Sequence, residues 1–258
     1  MTAKADDLPF GRRIGLLIAK KQMVSVNQTN RYSRSTGIGE DNMELKHAIF
    51  DLDGTLLDSM PVWDSLAGRY LAKNGRQAKP GLRAILSTLA MRGSAEFLIQ
   101  EYDLNKDADT VMAEMNEMGM IDYRDNVPAK QDAIAYLEAL QAKGVKMCVA
   151  TATDRPLVES ALKRLDMEKY FTRVFTCTEV GAGKRQPDIF YVAMEHLGGT
   201  KEDTVIFEDS LHAISTAHKY GFRVAAVPDA SSAKDEAEIK ALAEVWYDTY
   251  AQAIEDLK

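Results

Sequence analysis

The spacing of hydrophobic and polar residues along this chain changes between a pattern typical of strands and a pattern typical of helices. Residues 45–50 form a short apolar run, which is typical of a buried strand. Residues 62–128 instead place apolar side chains three or four positions apart, which is the period of amphipathic helices, with almost no strand signal between them. From residue 129 onward, short apolar runs and helical segments follow one another. The pattern therefore predicts a core of strands and helices that a helical segment interrupts after the first strand.

The predicted segments define a fold class. The strands are residues 45–50, 145–150, 173–177, 204–207, 223–227 and 245–247. The helices are residues 62–74, 81–91, 94–102, 107–124, 130–143, 156–165, 188–197, 211–219, 233–243 and 250–257. Strands separated by helices imply a parallel sheet with helices on both faces. We expect an α/β fold with a doubly wound parallel sheet, formed by residues 43–61 and 129–258, and an inserted all-helical domain formed by residues 62–128.

Residues 1–42 differ from the remainder in charge and in pattern. They carry seven Lys and Arg against four Asp and Glu, a net charge of +3, in a chain whose formal net charge is −7. Their polar part lacks an apolar period, as do segments that cannot bury enough apolar surface to fold. We expect these residues to be a disordered or dispensable extension.

The whole chain has the composition of a globular protein. Its 258 residues are 46% hydrophobic and 28% charged, which suits one large domain or a core with an insert. The acidic balance disfavours a nucleic-acid partner, and no apolar run approaches the roughly 18 residues of a membrane span. Cys148 and Cys177 end apolar stretches, which suits core residues in a reducing compartment. We expect a cytoplasmic protein with no nucleic-acid, membrane or protein partner indicated.

Acidic residues come directly after the first predicted strand. Asp51 and Asp53 stand one residue apart at that strand end. Two like charges about 4 Å apart repel by roughly 4 kcal/mol at an effective dielectric constant near 20, so we expect a cation beside them. Gly54 lets the backbone bend close to a ligand, and Thr55 adds a hydroxyl group. A turn in which both aspartates merely cap backbone groups is the alternative.

Residues 50–58, with the sequence Phe-Asp-Leu-Asp-Gly-Thr-Leu-Leu-Asp, resemble the first motif of the haloacid dehalogenase superfamily. Most members of that family are magnesium-dependent phosphatases and phosphomutases. The resemblance implies that Asp51 is the nucleophile and that Asp53 is the general acid and base. The helical insert is similar to the mobile cap of the β-phosphoglucomutase-like and phosphoglycolate phosphatase-like branch. The resemblance therefore implies that residues 62–128 are a cap.

Thr151 follows the predicted strand at residues 145–150. It matches the second motif of the family, and its hydroxyl group would hold a phosphate oxygen beside the N–H groups at a helix start. Capping of the next helix by Thr153 or Asp154 is the alternative for this segment.

Lys184 stands in the segment Gly-Lys-x-x-Pro-Asp-Ile-Phe, which resembles the third motif of the family. The resemblance implies that its ammonium group bridges the nucleophile and the substrate phosphate. A lysine in a glycine-containing loop is otherwise usually solvated, which is the alternative.

Glu208 and Asp209 follow the predicted strand at residues 204–207 and resemble the fourth motif. By themselves they could be acidic residues at a helix N-terminus, which the helix macrodipole favours. The resemblance instead implies a magnesium site, since Mg²⁺ prefers a few carboxylates with water and substrate phosphate. The implied ligands are Asp51, Asp53, Glu208 and Asp209. With Mg²⁺ and the lysine present, the site is neutral if Asp53 arrives protonated, as a general acid should.

The four motifs together imply a magnesium-dependent phosphatase. It would hydrolyse a small phosphorylated metabolite, a sugar phosphate or a phosphoglycolate-like monoester, through an aspartyl-phosphate intermediate. The residues expected at the substrate phosphate are Thr151, Lys184, Gly54 and Arg92, the last from the cap. For Arg92, a surface arginine without a substrate contact is an equal alternative.

Other classes of protein use some of the same residues. A phosphomutase of the β-phosphoglucomutase type is the nearest alternative, because it needs the same core. A dehalogenase of the superfamily needs neither Asp53 nor the magnesium acids. A receiver-type signalling module carries its acidic pair and its phosphorylated aspartate on different strands, and it has no place for the helical insert.

Overall fold

The computed structural model describes residues 45–86, 89 and 91–258. The expected extension, residues 1–42, lies outside this part of the chain, so that expectation stays a prediction. Within the described part, no helix combines the length and the hydropathy that crossing a membrane requires.

Six parallel strands form one sheet in the described part of the chain. They are β1 (His47–Phe50), β2 (Lys146–Thr151), β3 (Phe171–Thr176), β4 (Thr204–Glu208), β5 (Arg223–Ala226) and β6 (Val245–Trp246). Their order is β3-β2-β1-β4-β5-β6, and every neighbouring pair is parallel. Strand β1 lies between β2 and β4, and its side chains are all buried. The predicted α/β class with a doubly wound parallel sheet is confirmed.

The α-helices of the described residues follow the predicted order. They are α1 (Met60–Lys73), α2 (Leu82–Leu86), α3 (Met91–Tyr102), α4 (Ala108–Asp125), α5 (Ala133–Ala142), α6 (Arg155–Arg164), α7 (Cys177–Val180), α8 (Asp188–Leu197), α9 (Leu211–Lys219), α10 (Glu236–Leu242) and α11 (Tyr250–Glu255). Helix α7 has no counterpart among the predicted helices, because its four residues are too few to display a period. The described part of helix α2 ends at Leu86, and residues 87, 88 and 90, which precede the predicted boundary at residue 91, lie outside the described residues. Most other boundaries are confirmed to within three residues.

Local sequence explains where several helices begin and end. Asp107 precedes α4, and its carboxylate accepts a hydrogen bond of 2.7 Å from the backbone N–H of Thr110. Thr249 precedes α11, and its hydroxyl accepts from the backbone N–H of Gln252 at 3.2 Å. Gly198 ends α8 with a φ of 76°, a left-handed conformation that glycine adopts without a Cβ penalty. These residues satisfy backbone groups that helix ends leave without partners.

The two faces of the sheet are covered by different helices. Successive side chains of a strand point to opposite faces, so Ile49 and Ile206 join an apolar cluster with side chains of α8 and α9. Phe50 and Phe207 point to the other face, where their ring centroids lie 4.4 Å apart. Tyr136 of α5 packs against both of these rings. The central strands are therefore buried on both sides, as strands of a parallel sheet usually are.

The internal contacts divide the chain into two units. The α/β unit contains residues 131–154, residues 169–258 and the described residues up to 56, whereas the helical unit contains residues 57–130 and 155–168. In the helical unit, side chains of α1, α3 and α4 share one buried apolar cluster. The role of this unit as a cap stays a prediction.

The contacts of helix α6 differ from the predicted arrangement. The sequence pattern places this helix in the α/β core, yet its contacts group it with the helical unit. Leu157 of α6 lies against Gly119 of α4, where a Cβ atom would stand 3.2 Å from the leucine. At the end of α6, Arg164 donates hydrogen bonds to the carbonyl oxygens of Tyr123 and Val127. Periodicity gives no sign of such contacts, because they join segments distant in sequence.

A buried ion pair links β5 to the segment before β6. The guanidinium group of Arg223 donates to both carboxylate oxygens of Glu244, at 2.6–3.1 Å, and to the carbonyl oxygen of Glu202 at 3.0 Å. The Arg223 side chain is 2% exposed and that of Glu244 is 16% exposed. By contrast, the pair between Lys240 and Glu236 is 43% and 48% exposed. Because a buried charge depends more strongly on its partner, the two pairs should differ in their contribution to stability.

Replacing Glu244 with Gln should lower the free energy of unfolding by about 3 kcal/mol, since it leaves the buried Arg223 charge without a counterion. The same replacement at Glu236 should change it by less than about 1 kcal/mol, since water solvates that pair. Urea denaturation of both variants beside the parent protein measures the two changes. Equal losses would contradict the distinction between the two pairs.

Candidate active site

The carboxyl ends of β1 and β4 bring two acidic segments side by side. Phe50 and Phe207 are register partners, so the residues that follow them lie at neighbouring positions of the sheet edge. The backbone N–H of Asp51 donates to the carbonyl oxygen of Phe207 at 2.9 Å, which continues the strand pairing by one step. Strand β1 is also where the strand order reverses, with β2 on one side and β4 on the other. Ligands of open α/β sheets bind at such a position.

Three carboxylates form a buried cluster at this edge. Oxygen atoms of Asp51, Glu208 and Asp209 all lie within 4.8 Å of one another. The three residues are 6%, 1% and 4% exposed. Asp53, the fourth predicted metal ligand, does not belong to the cluster, and its carboxylate accepts a hydrogen bond of 2.6 Å from the hydroxyl group of Thr153. Its role as a metal ligand stays a prediction that this cluster does not support.

A buried lysine neutralises part of the cluster. Lys184 follows α7 in a loop, and its ammonium group donates to Asp51 Oδ1 and to Glu208 Oε1, the latter at 2.7 Å. The other oxygen of Glu208 accepts three hydrogen bonds of 2.9 Å, from the backbone N–H of Asp209 and from the N–H and hydroxyl of Ser210. Because both its oxygens already have donors, Glu208 is well suited to hold Lys184 against Asp51.

Burial and charge shift the protonation of these groups in different directions. Burial, together with the nearby Glu208 and Asp53 charges, raises the pKa of Asp51 to about 7, even though Lys184 acts in the opposite sense. Burial also disfavours ionisation of Glu208, but the Lys184 charge and the hydrogen bonds to this carboxylate outweigh it and hold its pKa below the usual value. The pKa of Lys184 lies above its usual value, because the two carboxylates outweigh the cost of burying the ammonium group.

The cluster has the chemistry of a divalent-cation site. Three carboxylates and one ammonium group leave two negative charges when all four are ionised, which one divalent cation would balance. All the donor atoms are oxygens, which Mg²⁺ and Ca²⁺ prefer. The residues present therefore fit a divalent cation held mainly by Asp51 and Asp209. Glu208 bonds to Lys184 instead.

The turn after β1 packs against the cluster. Gly54 has a φ of 85°, and a Cβ atom there would stand 2.5 Å from a carboxylate oxygen of Asp209. The next residue, Thr55, donates its hydroxyl to Asp209 Oδ1 at 3.1 Å, and that hydroxyl also lies 3.4 Å from Asp51 Oδ2. The predicted contact of Gly54 with a phosphate stays a prediction, whereas its close approach to Asp209 is a feature of the structure.

The end of β2 supports Asp53. Thr151 is fully buried, and its hydroxyl accepts a hydrogen bond of 3.1 Å from the backbone N–H of Thr153. Thr153 then donates its own hydroxyl to Asp53. Sequence reasoning considers Thr153 only as a helix cap, since nothing local relates it to a residue 100 positions earlier. Asp154, the other possible cap, accepts a hydrogen bond of 2.8 Å from the hydroxyl of Thr178.

Arg92 is the predicted site residue that belongs to the other unit. It lies on α3 of the helical unit, its side chain is 56% exposed, and its guanidinium group pairs with the exposed carboxylate of Asp109. Its predicted contact with substrate stays a prediction. The α/β unit brings together Asp51, Glu208, Asp209 and Lys184, and their catalytic and metal-binding roles likewise stay predictions.

Replacing Gly54 with Ala should lower the free energy of unfolding by clearly more than the same replacement at Gly144. Both glycines have left-handed φ, of 85° and 75°, which costs an alanine about 1–2 kcal/mol. Only at Gly54 would the new Cβ also overlap a neighbour, the Asp209 carboxylate, whereas at Gly144 it would meet open space. Urea denaturation of the two variants measures the difference. Equal losses would indicate that Asp209 moves aside without cost.

Comparisons with known proteins identify the family of this chain. Residues 45–221 match the family model described as haloacid dehalogenase-like hydrolase. A phosphorylated carbohydrates phosphatase of Thermotoga maritima is 25% identical over 177 residues, which cover 69% of this chain and 82% of that protein. Hexitol phosphatase A of Escherichia coli K12 is 26% identical over 188 residues, which cover 72% of this chain and 84% of that protein.

A solved structure has the same fold. The crystal structure of CbbY from Rhodobacter sphaeroides in complex with phosphate aligns with a TM-score of 0.71 at 20% identity, over 80% of this chain and 95% of CbbY. The family match spans more than half of the chain, from β1 to the end of α9, and includes every residue of the acid cluster and Lys184. The protein therefore belongs to the haloacid dehalogenase-like hydrolases.

Proposed function

We propose that this hydrolase is a phosphatase that cleaves a small phosphate monoester, of the sugar phosphate or phosphoglycolate kind, through an aspartyl-phosphate on Asp51. The observation that carries the proposal is the buried Lys184 ammonium shared by Asp51 and Glu208, next to carboxylates that fit a divalent cation. Two relatives named for phosphorylated carbohydrates and for hexitol support the substrate class.

The first chemical step transfers the phosphoryl group to the protein. A carboxylate oxygen of Asp51 attacks phosphorus as the bond between phosphorus and the alcohol oxygen breaks, and the alcohol takes a proton from Asp53. Lys184 orients the Asp51 carboxylate and places a positive charge beside the phosphoryl oxygens. Thr153 restrains Asp53 through their hydrogen bond, so that this side chain does not swing freely in the site.

The second step regenerates the protein. Asp53 removes a proton from a water molecule, whose oxygen attacks phosphorus and releases inorganic phosphate, and Asp51 recovers its carboxylate. A divalent cation, which we take to be Mg²⁺, would be held by Asp51 and Asp209 beside Glu208, and when bound it neutralises charge on the phosphoryl oxygens. The Thr151 hydroxyl and the backbone N–H of Gly54 are the proposed further contacts of the phosphate.

Replacing Asp51 with Asn should nearly abolish release of inorganic phosphate, because the nucleophile is lost. Replacing Asp53 with Asn should slow turnover by about 10²–10⁴-fold, which is the usual contribution of acid and base catalysis. The measurement is phosphate release from a panel of hexose phosphates, hexitol phosphates, phosphoglycolate and nucleoside monophosphates, with Mg²⁺ and with a chelator.

Three outcomes would contradict the proposal. An Asp51→Asn variant that releases phosphate at the parent rate would show that Asp51 is not the nucleophile. Equal rates of phosphate release with Mg²⁺ and with a chelator would show that the reaction does not need a divalent cation. Phosphate transfer that occurs only after priming with a sugar bisphosphate, without net release of phosphate, indicates a phosphomutase.

Binding of Mg²⁺ should strengthen as pH rises and then level off near pH 7.5. Because the pKa of Asp51 in the metal-free protein is about 7, this carboxyl holds a proton at pH 5.5 that the cation has to displace. The Mg²⁺ dissociation constant should therefore fall by about twentyfold between pH 5.5 and pH 7.5. Calorimetric titration at both pH values measures it.

The Asp53→Asn variant is the control for this titration. The Asp53 carboxylate lies outside the acid cluster, so the variant should retain its affinity for Mg²⁺ at pH 7.5. Because the Asp53 charge helps to raise the pKa of Asp51, the fall in affinity toward low pH should begin at a lower pH in the variant than in the parent protein. A large loss of affinity in this variant would make Asp53 a ligand, and a pH-independent affinity in the parent protein would exclude the displaced proton on Asp51.

A further inference from the structure

The last helix of the described chain contacts the turn after β1. Tyr250 is the first residue of α11 and is 2% exposed. Its hydroxyl donates a hydrogen bond of 3.0 Å to the carbonyl oxygen of Thr55, a residue 195 positions earlier in the chain. A side chain near the C-terminal end of the sequence therefore supports the turn that borders the acid cluster.

Thr55 connects this contact to the carboxylates. Its carbonyl oxygen accepts from Tyr250, while its hydroxyl donates to Asp209 at 3.1 Å and lies 3.4 Å from Asp51. Thr55 is fully buried, so bulk water cannot replace the tyrosine as a donor. Loss of the Tyr250 hydroxyl would leave a buried carbonyl oxygen unsatisfied, and the turn would relax to find another donor. The Thr55 hydroxyl would then move relative to the carboxylates.

Tyr136 of α5 offers an internal comparison. Its ring centroid lies 5.4 Å from that of Tyr250, and it is fully buried in the same aromatic cluster. Within the described part of the chain, its hydroxyl has no hydrogen-bond partner. The two tyrosines pack in the same surroundings, but only the hydroxyl of Tyr250 bonds to the turn. A comparison of the two therefore separates the effect of that hydrogen bond from the effect of packing.

The environment keeps Tyr250 in its donor form. Burial raises the pKa of Tyr250 well above its ordinary value, and the nearby Asp209 and Asp51 charges raise it further. The hydroxyl therefore keeps its proton throughout the pH range in which Asp51 titrates. The helix that carries it is held in place by the Thr249 cap and by packing of α11 on α5.

We propose that Tyr250 is a positioning residue for the acid cluster. Its hydroxyl fixes the backbone of Thr55, and Thr55 in turn fixes Asp209 and Asp51 in the arrangement that holds the divalent cation. The proposal rests on the proposed function in that it takes the cluster to be a cation site that serves phosphate-ester hydrolysis. Because the Tyr250 hydroxyl bonds to the Thr55 backbone, its effect should reach the carboxylates through Thr55 and appear in cation affinity and in turnover.

The test compares Tyr250→Phe with Tyr136→Phe. Each variant loses one hydroxyl and keeps its ring, so the two are matched in size and surroundings. In Tyr250→Phe, the Mg²⁺ dissociation constant should rise by about three- to tenfold and kcat at saturating Mg²⁺ should fall by a similar factor, with KM changed less than about twofold. In Tyr136→Phe, all three should stay within about twofold of the parent values. Calorimetric titration with Mg²⁺ and steady-state phosphate release give the three constants.

A double-mutant cycle separates positioning from general loosening of the fold. Thr55→Val removes the hydroxyl through which Tyr250 is proposed to act. If Tyr250 acts through Thr55, adding Tyr250→Phe to Thr55→Val should change the Mg²⁺ dissociation constant by less than about twofold. A purely structural effect of Tyr250 would persist in that background, and circular dichroism melting of each variant identifies any that is unfolded at the assay temperature.

Several results would overturn the proposal. Unchanged Mg²⁺ affinity and kcat in Tyr250→Phe exclude it, and so do equal losses in Tyr250→Phe and Tyr136→Phe. An undiminished effect of Tyr250→Phe in the Thr55→Val background also excludes it. If the parent protein released no phosphate from any ester, the proposed function would fail, while the Mg²⁺ titrations would still decide the role of Tyr250.

Discussion

The repulsion among three buried carboxylates is the constraint on which the rest of the site depends. Two like charges about 4 Å apart repel by roughly 4 kcal/mol at an effective dielectric constant near 20. Oxygen atoms of Asp51, Glu208 and Asp209 lie within 4.8 Å of one another, and all three residues are almost inaccessible to water. The Lys184 ammonium offsets part of this repulsion by bonding to two of them. Burial, together with the neighbouring negative charges, raises the pKa of Asp51, and the negative charge that Lys184 leaves explains the fit to a divalent cation.

The sheet determines where the acidic residues lie. The register between β1 and β4 sets the acidic residues at one edge, and burial on both faces prevents either strand from shifting. Side chains that carry no charge then fix the rotations of the acids: Thr55 bonds to Asp209, Thr153 to Asp53, and Ser210 to Glu208. A site with several like charges needs such restraints, since each charge would otherwise turn toward solvent.

Sequence could predict most of the fold and, by their motifs, the three clustered acids and Lys184, but it also counted Asp53 among the metal ligands and did not reveal the uncharged side chains that bond to the acids. Long helices and buried strands carry a period, and Asp51, Lys184 and Glu208 follow recognisable motifs at strand ends. The four-residue helix α7 carries no period, and the packing of α6 on α4 joins distant segments. The hydrogen bond from Thr153 to Asp53 and the hydrogen bond from Tyr250 to Thr55 depend on side-chain directions that only the folded chain defines.

The placement of β1 has a consequence for how the protein is made. This strand is synthesised before β4, one of the two strands beside it, which is encoded more than 150 residues later. During synthesis β1 therefore presents an unpaired, apolar edge until most of the polypeptide has emerged, and long-range pairing of this kind is intrinsically slow. A nascent chain that stops before β4 would leave this edge of β1 unpaired, and unpaired apolar strand edges are prone to aggregation.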